Sequence, residues 1–317
     1  MKLIDLYTIA VKKGITKDPR KLSEIKKGLA DAKKEFRKLK GVDKRAFDRE
    51  RLTNPYADTR ILYGDPETDV KTIIVGIDME APEILAADRL NERGESIDLV
   101  MAHHPEGIAW ARFYDVMSLQ VAMIEKFGIP REVGEKLLKD RMGEVERAVS
   151  PANHLRSVDI ARLLDIPYMC LHTPADNHVA SYLQKMFDSK RPKDLIAVVS
   201  LLKGIPEYAD GLKKNAGPRI LIGEPKKKAG RVFVDMTGGT EGSKKVFARL
   251  SQAGVGTIVA MHLSEEHFKN AREEHINVVI AGHIASDNLG LNLILDGIDK
   301  VEALKIIPCS GFVRVRR

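Results

Sequence analysis

The stretch Ile97-Asp98-Leu99-Val100-Met101-Ala102-His103-His104-Pro105 decides how the rest of this chain is read. Residues 99–102 are apolar at every position, which fits a strand covered on both faces by helices rather than one with a wet side. Pro105 cannot donate to a ladder and pushes His104 toward an extended backbone, so the strand ends at the two histidines. Three more apolar runs end the same way: 166–171 at His172, 256–261 at His262, and 276–282 at His283. Open α/β sheets bind ligands outside the carboxyl ends of their strands. One rule therefore brings five of the nine histidines to such edges, and histidine is the commonest metal-ligating side chain.

The second half of the chain repeats the grammar of the first. Val232-Phe233-Val234-Asp235-Met236 parallels Ile74-Val75-Gly76-Ile77-Asp78-Met79. His172-Thr173-Pro174-Ala175-Asp176-Asn177 is matched by His283-Ile284-Ala285-Ser286-Asp287-Asn288. Both close as H-x-x-x-D-N after a buried-type strand. The expectation is an α/β fold of two similar lobes from an internal duplication, the copies covering 72–104 with 166–177, and 231–288. Residues 1–50 read as a helical N-terminal extension, with Leu22, Ile25, Leu29, Ala32 and Phe36 at helical spacing. The first lobe is expected over 51–180 with a helical insertion at 106–164. A connecting segment fills 181–229, and the second lobe takes 230–317.

Asp176 and Asp287 each follow a histidine by four residues. Taken singly, Asp176 reads as a first-turn acid on a helix dipole and Asp287 as a helix N-cap. Their duplication favours a ligand role for both. His103 and His104 are neighbours whose rings can diverge at the strand end and serve two ions. Nitrogen and carboxylate donors without cysteine suit Zn, Fe, Mn, Ni or Co and do not choose among them. Cys170, two residues before His172, is a minor candidate ligand. Two divalent transition-metal ions per chain would make water nucleophilic near neutral pH and stabilise negative charge on a substrate.

The formal charge is +7, while only 5% of residues are aromatic. A nucleic-acid platform interleaves aromatics with its basic residues, so nucleic acid is not expected. The excess charge suggests instead a small anionic substrate. No apolar stretch is long enough to span a bilayer, and the opening residues lack a signal peptide's apolar core, which points to the cytoplasm. Glu106, directly after the HHP turn, reads as a general base or a solvated residue. The turn Gly238-Gly239-Thr240-Glu241-Gly242-Ser243 reads as a plain βα connection, with anion cradling as the alternative. His154 reads as structural, and His178, His267 and His275 as surface residues.

IDxxxPEIL…DLVMAHHP, then HTPADN, then AGHIASDN, in that order, resembles the Nif-three-like family. Its members are often labelled GTP cyclohydrolase I type 2 homologs or dinuclear-metal-centre proteins. The resemblance covers roughly 52–105, 165–182 and 230–317. It implies a metal pair held by His103, His104, Asp176, His283 and Asp287, the last bridging, and a two-lobed protomer assembling into homo-oligomers, often ring-like hexamers. Two departures stand out. The family usually has Glu where this chain has Asp287, and its GD-x-x-x-H stretch is replaced by Met261-His262-Leu263-Ser264-Glu265-Glu266. The resulting expectation is a metal-dependent hydrolase acting on a small anion, such as a nucleotide or heterocycle. His172, His262 or Glu106 would move protons, with His172 behind the ligands rather than among them. The alternative is a non-catalytic, metal-stabilised scaffold or regulator.

Overall fold

The computed structural model describes residues 1–317. Its strands are β1 (Thr59–Tyr63), β2 (Thr72–Gly76), β3 (Leu99–Ala102), β4 (Tyr168–Leu171), β5 (Arg219–Ile222), β6 (Arg231–Asp235), β7 (Val255–Ala260), β8 (Asn277–Ile280) and β9 (Lys305–Pro308). They form two sheets, ordered β1-β4-β3-β2-β9 and β5-β8-β7-β6. In each, the inner strands run parallel and the edge strand, β1 or β5, is antiparallel to its neighbour. The shared order and directions agree with the duplication inferred from the sequence. The likeness also begins earlier than 72 and 231. Arg60-Ile61-Leu62-Tyr63-Gly64-Asp65-Pro66 on β1 matches Arg219-Ile220-Leu221-Ile222-Gly223-Glu224-Pro225 on β5.

The uniformly apolar strands are explained by what covers them. Ile73, Val75, Met101 and Leu171 face one core, while Ile74, Val100, Ala102 and Tyr168 face another. The second sheet divides Val232, Val234, Val259 and Val279 from Phe233, Ile258, Val278 and Ile280 in the same period of two. Helices Thr173–Lys190 and His283–Asp299 follow β4 and β8. Between them they supply Ala175, Leu291 and Ile294 to the first sheet's core and Val179, Leu183 and Leu289 to the second's. They lie between the two sheets, and the two H-x-x-x-D-N motifs run into their N-terminal turns. No helix is long and apolar enough to cross a membrane.

Three features of the structure bear on the organisation expected from the sequence. Residues 1–50 are not simply an appendage. Helix Leu3–Lys17 buries Leu3, Leu6 and Ala10 in the same core as Leu291. Of the stripe on helix Leu22–Lys38, only Ile25 and Ala32 are buried. The segment 230–317 does not all belong to the second lobe, because β9 pairs in parallel with β2 and covers an edge whose backbone groups would otherwise be unpaired. The insertion after β3 crosses to the other lobe: Met123, Ile124, Phe127 and Ile129 share a core with Phe233 and Phe247.

Gln120 of the insertion donates to the carbonyls of Gly238 and Thr240 at 3.0 and 2.6 Å. Gly238 and Gly239 have φ of 95° and 84°. A Cβ at either would strike Gln120 or Phe113 at 2.7 and 3.0 Å. The glycine-rich turn is therefore a docking point for the insertion, not a free anion cradle.

Candidate metal centre

His103 and His104 leave β3, His172 leaves β4, and His283 opens the helix after β8. His103 is fully buried, with Nδ1 3.0 Å from the Leu171 carbonyl oxygen. Its Nε2 lies 3.5 Å from Asp176 Oδ1 and 3.4 Å from Asp287 Oδ1. His104 sets Nδ1 2.6 Å from Asp78 Oδ1 and Nε2 3.6 Å from Asp287 Oδ2. His283 Nε2 is also 3.6 Å from Asp287 Oδ2. His172 places Nδ1 2.7 Å from Asp58 Oδ2 and Nε2 3.7 Å from Asp176 Oδ2. Three histidines thus commit Nδ1 to an outward acceptor, which fixes the ring and turns the Nε2 lone pair toward the two aspartates.

These residues fit metal ions by chemistry and by spacing. The 3.4–3.7 Å gaps are long for hydrogen bonds. Donors about 2.0–2.2 Å from one tetrahedral ion sit about 3.3–3.6 Å from each other. His103 Nε2, Asp176 Oδ1 and Asp287 Oδ2 are buried without any hydrogen-bond partner, a costly state for polar atoms unless something positive satisfies them. Three candidate ligand groups emerge: His103 with Asp176 and Asp287; His104 with His283 and Asp287; and His103 with His104 and His172. The rings of His103 and His104 diverge between the first two groups, and Asp287 is common to both. His172, expected behind the ligands, lies in the third of these candidate groups. Asp287 is no N-cap: its helix begins at His283, which puts the carboxylate in the second turn.

Charge in the cluster is strongly coupled. Burial works against the charged form of His103 and His104. The neighbouring aspartates outweigh it, holding His103 well above its ordinary pKa and raising His104 to about 9. Burial alone would raise Asp287, yet the surrounding histidines keep it far below the usual carboxylate range. His283 moves the other way: burial and the adjacent histidines lower it.

A cavity of about 520 Å³ opens beside the cluster, bordered by His104, His172, Asp176, His283 and Asp287. His262 borders it too, with its ring 5.0 Å from that of His283 and Nδ1 3.6 Å from Glu241 Oε1. That carboxylate raises the pKa of His262. Glu106 lies on the cavity lining, half-buried, and burial raises its pKa. It stands apart from the ligand groups. Seven lining residues are aspartate or glutamate and only one, Arg156, is lysine or arginine, so the cavity's own charge is opposite in sign to the chain's net charge.

Sequence reasoning missed Asp58, Asp78 and Glu241, which orient His172, His104 and His262. Each is a lone acid in a loop, and no spacing rule links it to its histidine. Cys170 is in none of the ligand groups; burial in the first lobe's core pushes its thiol up to about 12. His178 and His267 are buried, not on the surface. His178 Nδ1 lies 2.8 Å from the Pro174 carbonyl oxygen, and burial lowers its pKa to about 4. His267 lies between the Ser264 hydroxyl and the Gly242 carbonyl.

The crystal structure of a NIF3 superfamily protein from Sphaerobacter thermophilus matches with a TM-score of 0.70 at 24% identity, covering 82% of this chain and 94% of that one. The chain has the NIF3 fold. Protein ybgI, a structural-genomics target of unknown function, is similar to this chain at a TM-score of 0.50 and 16% identity, over 80% of this chain and 90% of that one. No family model matches the sequence, and no curated protein matches it either. The structural likeness agrees with the resemblance read from HHP, HTPADN and AGHIASDN.

Proposed function

We propose that this NIF3-fold protein is a dinuclear metal-dependent hydrolase acting on a small anionic substrate. The observation that carries the reading is the convergence of three Nδ1-anchored histidines, His283 and two buried aspartates, all of them lining one cavity except His103, which lies buried behind its wall. His103, His104, His172, Asp176, His283 and Asp287 would hold two divalent ions, with Asp287 shared. The ions would supply Lewis acidity, activating water and stabilising negative charge on the substrate. His262, beside Glu241 and open to the cavity, would give or take a proton at its ring nitrogen. Glu106 is held in reserve for the same task farther along the wall. The acid-rich lining makes anion binding depend on the metals, because without them the wall repels a negative ligand.

A scaffold reading competes: the ligands come from both lobes, so the ions would fasten one to the other without chemistry. The open cavity beside His104 and His283 favours the enzyme. Elemental mass spectrometry of the wild type and a His103→Ala/Asp287→Ala variant tests the site. About two ions per chain, lost in the variant, are expected; no metal and no uptake on reconstitution would overturn the reading. Turnover by metal-loaded protein of phosphoesters, nucleotides or cyclic amides then separates enzyme from scaffold, and complete inactivity would leave the scaffold standing.

A further inference from the structure

Away from the His/Asp cluster, the cavity wall comes from a different part of the chain. Trp110, Phe113, His154, Arg156 and Ser157 all border the cavity and all belong to the helical insertion. Trp110 and Phe113 stack with ring centroids 5.3 Å apart and planes within 2°. Both rings line the cavity; Phe113 is buried, whereas Trp110 keeps partial exposure. The insertion is hydrogen-bonded to the second lobe. Gln120 grips the Gly238–Thr240 turn, Arg141 Nε donates to the Glu241 carbonyl at 3.1 Å, and Arg231 of the second lobe donates to the carbonyls of Lys126 and Phe127. The insertion that carries Trp110 is therefore tied to the lobe that contributes His283 and Asp287.

We infer that Trp110 is a stacking platform for a planar aromatic ring of the substrate, with Arg156 meeting an anionic substituent of that ring system. The inference rests on the metal-site reading above and gives its substrate a class: a heteroaromatic anion whose ring lies against the insertion while its reacting bond lies at the His/Asp cluster. A cavity of about 520 Å³ falls in the range that encloses such molecules, about 300–1,000 Å³. Aromatic pairs favour offset stacking, so the exposed part of the Trp110 indole suits a further planar ring. Arg156 is the single lysine or arginine on the lining, so it offers a permanently charged side chain to an anionic group beyond the metals.

Trp110 is also the chain's only tryptophan, so its fluorescence reports the contact directly. Metal-loaded protein is titrated with xanthine, guanosine monophosphate and orotate, and with ribose phosphate as a ring-free control. Saturable quenching by at least one ring compound, and none by the control, is expected. Calorimetry on Trp110→Leu should then show that compound's affinity reduced about 5- to 150-fold, with Trp110→Phe restoring most of it. Absence of saturable quenching by every ring compound, or equal affinity in Trp110→Leu, would overturn the platform. Metal content measured on the same samples keeps the two ideas apart. Wild type that retains its ions yet fails the quenching test loses the platform alone, and wild type that binds no metal loses the reading beneath it.

Discussion

Gly290 rests on the backbone of Ala175: a Cβ at position 290 would meet the Ala175 carbonyl oxygen at 2.5 Å. The contact joins the two central helices beside Asp176 on one and within a turn of Asp287 on the other. Glycine is required here because the obstruction is backbone, which cannot rotate aside. Gly290→Ala should lower stability by about 1–3 kcal/mol through overpacking, despite alanine's better helix propensity. A lower Tm together with reduced metal content would show that this approach sets the spacing of the two aspartates. An unchanged Tm would show that the helices separate freely.

Asp287 faces His103 with one oxygen and His104 and His283 with the other. Asp287→Asn keeps the shape and removes the charge that two ions would share. Bound metal should fall by at least about tenfold, since lost coordination and lost charge act together. Elemental analysis beside a circular dichroism spectrum checks this, and an intact metal pair in the variant would refute the bridging role.

Asp58 is fully buried and accepts from His172 Nδ1 and from the Thr173 hydroxyl. Removing such an outer carboxylate typically costs about 10–100-fold in metal affinity. Asp58→Asn should therefore weaken metal binding within that range in competition with a chromophoric chelator. If affinity is unchanged, His172 is not a ligand.

Metal-free protein should become less stable as pH rises. A histidine whose folded pKa exceeds its unfolded value stabilises the fold below the unfolded value, and the contribution is lost as pH climbs through the folded one. For His104 that window runs from 6.5 to about 9. Metal binding replaces the protons on such ligands, so loaded protein should hold its Tm across the same window. Thermal melts of both forms over that range give the answer, and parallel curves would mean that the His104–carboxylate contacts do not matter to the fold.

Much of the candidate site is legible in the amino-acid sequence. His103, His104, His172, His262 and His283 each end an apolar run, and H-x-x-x-D-N is written twice. The outer part of the repeat, R-I-L-x-G-D/E-P on β1 and β5, leaves a fainter signal. These edge strands are only partly buried and lack the continuous apolar signature of β2 and β3. The burial of His178 and His267 is not legible at all, because polar neighbours in sequence say nothing about what packs over a helix.

The sequence by itself determined the parallel strands β2–β4 and β6–β8, the helices between them and the histidines at their ends. Those features depend on periods of two to four residues and on where an apolar run stops. Only the tertiary structure decided that Asp287 of one lobe meets His103 and His104 of the other, that Asp58, Asp78 and Glu241 orient rings far from them in sequence, and that the insertion begun in the first lobe walls the cavity from the second. Such pairings follow from two sheets packing around two shared helices, where contact is set by shape and burial and leaves no short-range trace in the chain.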